Sequence, residues 1–586
     1  MQGSPAGRAP AILLALLLAV FWARQLAPIT GQSHTLDEAA EIGAGYVELK
    51  QAFYGYNAGH PPLILMLHGL AVAPLHPRFA VDLRPSRAFE LHQAWYDAGN
   101  QFLYAANRSP LAALALARIS TVALVTLLVV VAFVWSRRMF GGWGGALTAF
   151  LLTFDPNLLA HGGLATTDAG IAALMLLAMY CIWRYLAGGP SGHPEGGLKG
   201  HPKGGSARWV GAMGLSFGAA CAGKINGLLL FPMLAAAMLL VEVGSEARPP
   251  FSGRALGKRL LLMIEVVAIV AAIAWLVIWA LYRFQVGTLA ETARYDPTIV
   301  GLVQRGFPAA LAEWRLPAPW YWWCLAFQHL RPLSLGPFLW GNKFSEPTWL
   351  YAPATFLLKT PLPGLALLAL GGLLAGRLRW RDGVMVYGGA LLLAGAAAAV
   401  PTSPGYRHLL PAMPLAAIAL GGYARPRRFP RWTKVFVSAM LAWLAVESLS
   451  VSPHYLAYFN EIAGGPRGGY RYLVDSDLDW GQDLPGLARY LQENRIETVY
   501  LDYFGTAPPQ AYGIAGARPL SSAHEPLLQP AENPERVVIA ISATQLQCTG
   551  PDWPFSRAPA PYTWLNNREP IATIGHSIFI YRLRRA

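Results

Sequence analysis

Residues 111–135 read LAALALARISTVALVTLLVVVAFVW, an almost unbroken apolar run in which Arg118 is the one charged residue. A helix crosses a bilayer with about 20 apolar residues, so this run predicts a transmembrane helix. Ten further candidate runs lie on either side of it: 9–29, 139–160, 168–187, 209–223, 226–242, 260–281, 352–375, 384–400, 409–423 and 435–452. The runs 139–160, 209–223 and 409–423 are short or interrupted. We therefore predict a polytopic α-helical membrane protein with about 11 transmembrane helices.

The composition supports this fold class. Of 586 residues, 54% are hydrophobic and only 13% are charged, and the mean hydropathy is +0.35. Soluble proteins have about 25% charged residues, so an ordinary cytosolic enzyme is excluded. The 46 Lys and Arg against 32 Asp and Glu leave a net charge of +14. This excess falls in short clusters between apolar runs, whereas a nucleic-acid-binding protein gathers it on a polar surface.

The basic clusters predict the orientation, because loops rich in Lys and Arg stay on the cytoplasmic side. With eleven spans, five clusters fall on that side: Arg137 and Arg138; Lys199, Lys203 and Arg208; Arg248, Arg254, Lys258 and Arg259; Arg377, Arg379 and Arg381; and Arg425, Arg427, Arg428, Arg431 and Lys434. The N-terminus is then cytoplasmic and the C-terminus extracytoplasmic. The abundance of Ala, Gly and Arg is compatible with a bacterial inner membrane.

The run 9–29 fits either a cleaved signal peptide or an uncleaved anchor. We favour the anchor, since the acidic residues directly after it are expected to act at the membrane. The Gly-, Pro- and His-rich stretch 188–207 is predicted to be a flexible cytoplasmic linker.

The outer side receives loop 30–110, loop 282–350 and a C-terminal region from residue 453. In the first loop, an amphipathic pattern over 39–53 and an apolar stretch over 63–75 predict helices that lie on the membrane surface. The C-terminal region has predicted strands at 498–504, 537–541 and 578–581 and a predicted helix at 484–494. We predict a transmembrane catalytic domain, 1–452, followed by a small extracytoplasmic α/β domain, 453–586.

Ionisable residues gather at the outer ends of the apolar runs. Charged residues at membrane depth cost about 2.5–3.5 kcal/mol each, so they usually line a polar cavity or pathway. Carboxylates and separate cations on one face indicate a site that handles an anionic group and an acid–base step. The candidates are Asp37, Glu38, His161, Asp168, Lys224, Lys359, Arg407 and His408.

The motifs around these residues resemble those of protein O-mannosyltransferases, a glycosyltransferase family of the GT-C class, which also includes the bacterial aminoarabinose transferase. The resemblance is carried by the Asp37-Glu38 pair, HPPL (60–63), DPNLLAHGGLATTD (155–168), LLKTPLP (357–363), RHLLP (407–411) and DSDLDWGQDLP (475–485). Each motif alone is weak evidence. Their order along the sequence and their predicted position on one side of the membrane make the set specific, and the resemblance covers most of the chain.

This resemblance implies transfer of a sugar from a polyprenyl-phosphate donor to a hydroxyl-bearing glycan, lipid or protein acceptor on the outer face, with inversion at the anomeric carbon. It places Asp37 and Glu38 in the catalytic centre, with Asp37 as the base. Asp168, His161 and His60 would position the acceptor or a cation, and Arg407, Lys359, Lys224 and His408 would bind the lipid phosphate. The β-trefoil domain of eukaryotic members is absent from this sequence, which leaves the sugar and the acceptor open.

Structural explanations compete with these roles. Asp37 and Glu38 suit the first turn of an interfacial helix, and Asp168 suits a helix N-cap. His60 before two prolines suits a structural corner, and His161 a loop histidine. Lys224 and Lys359 suit snorkelling to headgroups. Trp480 could stack on a sugar or a polyprenyl tail, although packing of the C-terminal domain is the safer interpretation.

Two other functions are also compatible with parts of the sequence. A transporter or flippase of lipid-linked sugars would explain the many spans, but transport needs polar groups near the midplane and access from both faces. A non-catalytic anchor would leave the charged residues unused. Acidic residues on two loops permit a divalent cation, yet no ligand spacing demands one. Of four cysteines, only Cys324 and Cys548 are both placed outside, so a disulfide between them is conceivable but unsupported.

Overall fold

The structure is a computed structural model. The residues that it describes are 5–57, 59–79, 91–187, 205–243, 253–293, 312–330, 337–344, 348–373, 378–399, 405–425, 430–520, 537–548, 562–565 and 568–582. Most of the predicted linker 188–207 lies outside the described residues, as do Lys199, Lys203, Arg248, Arg377, Arg427 and Arg428.

Helices dominate the described part of the chain. They are α1 (Pro5–Gly31), α2 (Glu38–Gln51), α3 (Pro62–Val72), α4 (Leu91–Asn100), α5 (Pro110–Phe140), α6 (Gly142–Thr153), α7 (Pro156–Gly162), α8 (Thr167–Ala187), α9 (Gly205–Gly223), α10 (Leu230–Val243), α11 (Gly253–Leu281), α12 (Leu289–Ala293), α13 (Pro319–Leu330), α14 (Tyr351–Lys359), α15 (Leu362–Leu373), α16 (Trp380–Gly383), α17 (Gly389–Ala398), α18 (Met413–Leu420), α19 (Arg431–Ser450), α20 (Leu484–Glu493) and α21 (Ala543–Cys548).

The membrane-protein class is confirmed, whereas the count of eleven spans stays a prediction. Within the described ranges, five helices are long and apolar enough to cross a bilayer, namely α1, α5, α8, α11 and α19. The pair α14 and α15 is a sixth candidate, bent by 109°. The other predicted runs contain shorter or interrupted helices.

Two of the predicted runs are broken at a proline. The run 139–160 is not one helix, because α6 ends at Thr153 and α7 begins at Pro156. The run 352–375 breaks between Lys359 and Leu362. In both cases the residue before the proline is extended, with ψ of 117° at Asp155 and 130° at Thr360. Proline disfavours the helical conformation in the residue that precedes it, which explains both breaks.

Helix α2 differs from the amphipathic surface helix that the sequence predicted. Its acids Glu38, Glu41 and Glu48 are all buried, because α2 packs against α3, α4 and α5. Helices α2 and α3 approach backbone to backbone, and a Cβ atom added at Gly45 would lie 1.7 Å from the carbonyl oxygen of Leu65. The acids of α2 therefore face the protein interior, where an unpaired charge is costly.

The C-terminal region contains the predicted strands and helix. The described strands are β1 (Val286–Gly287), β2 (Leu316–Pro317), β3 (Phe338–Leu339), β4 (Asn342–Lys343), β5 (Val499–Asp502), β6 (Ala517–Pro519), β7 (Val538–Ser542), β8 (Ala572–Ile574) and β9 (Ile578–Arg582). The last five form a sheet of order β6-β5-β7-β9-β8, parallel at β6-β5-β7 and antiparallel at β7-β9-β8. The short strands β6 and β8 were not predicted.

The two faces of this sheet pack differently, because alternate residues of a strand point to opposite faces. Val538 and Ala540 share a core with leucines of α20, whereas Ile539 and Ile541 join the large core that includes the apolar helices. The sheet is thus fixed to the helical part by one face. All four cysteines are buried free thiols, so Cys324 and Cys548 form no disulfide.

Candidate active site

Four of the predicted residues form a row of alternating charges, the charged chain, in the order Asp37, Arg407, Asp168 and Lys224. The Arg407 Nη1 atom lies 3.3 Å from Asp37 Oδ2 and 3.5 Å from Asp168 Oδ2. The Lys224 Nζ atom lies 2.5 Å from Asp168 Oδ1. The side chains of Asp37 and Arg407 keep 23% and 20% of their surface exposed, whereas that of Asp168 keeps 3%. Of the charged chain, the end formed by Asp37 and Arg407 is therefore the one that a substrate can reach.

Asp37 precedes α2 but does not cap it. Its side chain makes no capping hydrogen bond, although acids are favoured in this position for that purpose. Instead, Asp37 Oδ1 accepts a hydrogen bond from Tyr96 Oη at 3.1 Å, and Oδ2 accepts one from Arg407. The side chain of Asp37 is thus bound to Tyr96 and Arg407, and its catalytic role stays a prediction.

Glu38 has a different environment from its neighbour. It is fully buried, and both of its oxygens bind Arg118, at 2.8 Å and 2.7 Å. It also accepts hydrogen bonds from the backbone N–H groups of Thr35 and Ala165. Burial by itself raises the pKa of Glu38, but Arg118 and these donors bring it below its ordinary value. Glu38 is thus an ionised residue with its acceptor positions taken, and its catalytic role stays a prediction.

Arg118 was missed by the sequence reasoning, although its signal was present as the lone charge in the run 111–135. Besides Glu38, its guanidinium donates to four backbone carbonyls, those of Pro28, Ile29, Gln32 and Ser33. These carbonyls belong to the end of α1 and the turn after it. The ion pair therefore fixes the segment that delivers Asp37.

The motif DSDLDWGQDLP connects several parts of the site. Asp477 Oδ1 accepts a hydrogen bond from the N–H of Tyr406, and the Trp480 ring lies 4.6 Å below the guanidinium of Arg407. The Trp480 carbonyl accepts from the N–H of Leu36 at 2.9 Å. One segment thus positions both Asp37 and Arg407, and the near-complete burial of Trp480 agrees with the packing interpretation.

Asp479 of the same motif predicts a pH dependence of stability. Burial raises its pKa to about 7, Oδ2 accepts from the N–H of Thr544, and Oδ1 has no hydrogen-bond partner among the described residues. A carboxyl group whose pKa rises on folding stabilises the fold below its unfolded pKa, near 4, and loses this contribution as the pH climbs towards 7. Asp479→Asn keeps an acceptor and cannot ionise. We expect its melting temperature in detergent to exceed the wild-type value by several degrees more at pH 8 than at pH 4.5.

The matched control for this prediction is Asp97→Asn, which removes an exposed carboxylate of α4. The difference in melting temperature between this control and wild type is expected to be the same at pH 8 and at pH 4.5. A difference between Asp479→Asn and wild type that does not change with pH would contradict the prediction.

The predicted histidines lie beside the charged chain. His161 is buried and His408 is half-buried, and the Nδ1 atom of each has no hydrogen-bond partner in the described part of the chain. Burial lowers the pKa of His161 to about 3 and that of His408 well below its ordinary value. His60 Nε2 lies 3.8 Å from Glu41 Oε1, which brings His60 to the same site.

Lys359 is not part of the charged chain. Its ammonium group donates to the carbonyls of Leu456 and Asp477 and lies over the Phe459 ring. In this structure Lys359 therefore holds the segment that positions Arg407, and its predicted role as a phosphate ligand stays untested.

Two acids near the chain were not predicted. Glu41 lies one helical turn after Asp37, and burial followed by the nearby carboxylates of Asp37 and Asp168 raises its pKa well above the ordinary value. Its Oε2 atom has no hydrogen-bond partner among the described residues. Burial raises the pKa of Asp475 to about 6, with Arg407 opposing. For Glu41 the i, i+4 spacing from Asp37 was an available signal.

The described residues contain no group of three or more His, Cys, Asp or Glu side chains arranged to hold a metal ion. Within the site, Asp37 is paired with Arg407, and Asp168 is paired with both Arg407 and Lys224. These two cations suit an anionic substrate group.

Residues 44–287 match the family model described as dolichyl-phosphate-mannose-protein mannosyltransferase. This range contains His60, His161, Asp168 and Lys224 but not Asp37 or Arg407. Among curated proteins, none matches the sequence significantly. The match agrees with the predicted resemblance over this range, which includes the motifs HPPL (60–63) and DPNLLAHGGLATTD (155–168).

Three solved structures show a partial similarity to this chain. ArnT from Cupriavidus metallidurans is 13% identical, with a TM-score of 0.48 and coverage of 97% of both chains. The Archaeoglobus fulgidus oligosaccharyltransferase is 12% identical, with a TM-score of 0.43 over 75% of this chain and 56% of that one. The S. cerevisiae Pmt1-Pmt2 complex is 15% identical, with a TM-score of 0.34 over 48% and 34%. At these scores the likenesses support no inference about activity.

Proposed function

We propose that this membrane glycosyltransferase, which is similar to protein mannosyltransferases over residues 44–287, moves a sugar from a polyprenyl-phosphate carrier to a hydroxyl group of its acceptor. The matched family is named for a dolichyl-phosphate-linked donor, which supports a lipid phosphate as the leaving group. The sugar and the acceptor, whether glycan, lipid or protein, are not specified by any residue described above.

The observation that carries the proposal is the chain Asp37–Arg407–Asp168–Lys224. It offers a partly exposed carboxylate next to a partly exposed guanidinium, and a buried pair behind them. A base and an anion-binding group side by side are what transfer from a phosphate to a hydroxyl needs. The flippase alternative has no comparable support, since the family match favours a transferase.

In the proposed step, an oxygen of Asp37 takes the proton of the acceptor hydroxyl while that hydroxyl oxygen attacks the anomeric carbon. The bond from the anomeric carbon to the phosphate oxygen breaks, and its electron pair leaves with the lipid phosphate. Because attack and departure occur on opposite faces of the sugar, the configuration inverts.

The leaving phosphate gains negative charge that a nearby cation stabilises. Arg407 is the first candidate, since a guanidinium binds two phosphate oxygens at once and its plane is supported by Trp480. Lys224 is the second. Both cations pair with carboxylates, so binding of the donor phosphate would compete with Asp37 for Arg407 and release Asp37 as a base.

We further propose that the site faces the extracytoplasmic side of a bacterial inner membrane, with the N-terminus cytoplasmic and residues 453–586 outside as a domain. Support comes from Arg138, Arg379, Arg381 and Arg425. These residues belong to three loops predicted to share the cytoplasmic side, and they line one cavity together.

The test is transfer by the purified full-length protein in liposomes. A panel of radiolabelled polyprenyl-phosphate sugars is supplied with membrane extract as acceptor, and the same sugars as nucleotide diphosphates serve as matched controls. We expect label to move only from a lipid-linked donor, with inverted anomeric configuration in the product. The proposal is overturned if no lipid-linked sugar gives product while a fluorescent analogue still crosses the bilayer.

A further inference from the structure

A cavity of about 500 Å³ lies far from the charged chain, where α5, α8, the segment 378–382 and Arg425 meet. Among the described residues, four arginines line it, Arg138, Arg379, Arg381 and Arg425, together with a single acid, Asp382. Nothing in the proposed transfer uses this cavity. It is open enough, and positive enough, to hold a small anionic group.

The single acid of the cavity does not neutralise the four arginines. Asp382 Oδ1 accepts a hydrogen bond from Trp183 Nε1 at 2.9 Å and contacts Arg381 at 3.3 Å. Since one carboxylate balances only one of the four guanidinium charges, the described lining keeps an excess of positive charge. Guanidinium groups bind phosphate oxygens in pairs, so a phosphate is the anion that this lining suits best.

The walls of the cavity also carry apolar side chains. The guanidinium of Arg425 lies 5.0 Å from the Phe140 ring, and that of Arg381 lies 5.9 Å from the Trp183 ring. Met139, Ala187 and Leu378 also contribute to this lining. A site for a free, fully hydrated anion has no need of such walls, whereas a lipid presents a phosphate attached to an apolar body.

The position of the cavity along α5 agrees with a headgroup site. An α-helix rises 1.5 Å per residue, so Arg138 lies about 30 Å from Arg118, which neighbours the charged chain. This distance equals the thickness of the hydrocarbon core, about 30 Å. The cavity and the charged chain therefore lie at opposite membrane faces. Two exposed tryptophans, Trp143 and Trp380, lie within three residues of the cavity lining in the sequence. Exposed tryptophans are typical of the headgroup layer.

We propose that this cavity binds the phosphate headgroup of an anionic phospholipid at the membrane face opposite to the active site. Basic pockets between helix ends on the cytoplasmic side are known to accept such headgroups. Because the cavity is formed by the ends of α5 and α8 together with two later segments, a bound headgroup links parts of the chain that are distant in sequence.

The test measures binding of dihexanoyl phosphatidylglycerol to the detergent-purified full-length protein by thermophoresis. The variant is Arg138→Gln/Arg379→Gln, which changes two exposed side chains and so leaves the fold undisturbed. The matched control is Arg489→Gln/Arg495→Gln, two exposed arginines near the end of α20, with the same change in net charge. We expect Kd to rise at least tenfold in the cavity variant and to stay within twofold in the control.

Equal Kd for wild type and the cavity variant would overturn the proposal, as would an equal rise in the control. Inorganic phosphate and dihexanoyl phosphatidylcholine serve as competitors. If inorganic phosphate displaces the lipid at a similar concentration, the ligand is a free phosphate and the lipid assignment is wrong. If the phosphatidylcholine competes equally, the site does not select anionic headgroups.

A second variant, Arg138→Lys/Arg379→Lys, keeps the charge but loses the planar fork of donors. We expect it to weaken binding at least threefold, and unchanged binding would contradict recognition through guanidinium pairs. These readouts measure binding alone, so they stand whether or not the transfer activity is found.

Discussion

Asp37→Asn is expected to lower the rate of sugar transfer by about 10²–10⁴-fold, the contribution typical of a general base. The amide is nearly the same size as the carboxylate and still accepts the hydrogen bond that Tyr96 donates to Asp37 Oδ1. It has no capacity to take the acceptor proton. The measurement is the initial transfer rate in liposomes at matched protein amount, using the lipid-linked sugar that gives product with wild type.

The matched control is Glu493→Gln, which makes the same acid-to-amide change at an exposed position at the end of α20. This variant is expected to transfer at the wild-type rate. Donor binding by Asp37→Asn should be retained or strengthened, since the pairing of Arg407 with a carboxylate is weakened. A transfer rate within threefold of wild type would remove Asp37 from the chemistry and direct attention to Asp168.

Arg118→Met is expected to destabilise the protein by about 3–5 kcal/mol, the usual cost of breaking a buried ion pair. The change leaves the carboxylate of Glu38 and four backbone carbonyls without the donor that satisfies them. Arg118→Lys is expected to be nearly as damaging, because one ammonium group cannot replace six hydrogen bonds in a planar fork. The measurement is the folded fraction after detergent extraction, together with the melting temperature.

Arg108→Met is the control for this change, since Arg108 is an exposed arginine just before the same helix. The double variant Arg118→Met/Glu38→Leu should recover part of the lost stability, because it removes the buried Glu38 carboxylate that Arg118→Met alone leaves without its partner. If Arg118→Met melts at the wild-type temperature, Arg118 and Glu38 do not fix the turn before α2. Loss of folding in both arginine variants would instead be a general effect of removing positive charge.

The apolar runs and the charged residues between them were sufficient to predict the class of fold and to select four residues that lie together in the structure. Asp37, Asp168, Lys224 and Arg407 were selected as ionisable residues at the outer ends of apolar runs, and the structure brings all four together. Strands β5, β7 and β9 and helix α20 were predicted as well, because their apolar periodicity is strong. Pairings within the site were not predicted, since they join residues that are 56 to 370 positions apart.

The features that the sequence did not predict depend on tertiary contacts that the local pattern does not contain. The acids of α2 follow an amphipathic pattern, but packing against three helices buries them. Lys359 occupies the end of an apolar helix like the other candidates, yet its partners are backbone carbonyls of a segment about 100 residues later. Arg118 was overlooked because a single charge in a long apolar run does not alter the prediction of a span.

The hydrogen bonds between residues 33–36 and 480–482 also bear on how the enzyme is made. Asp37 emerges early in synthesis, but the segment that orients it is translated some 440 residues later, roughly 20 to 90 s at bacterial and eukaryotic elongation rates. During this interval a nascent chain has Asp37 without the support of Trp480 and Asp477. Under the proposed mechanism, we therefore expect transfer to begin only after this segment has been made and has folded against Asp37, so that an unfinished copy in the membrane would not consume the donor.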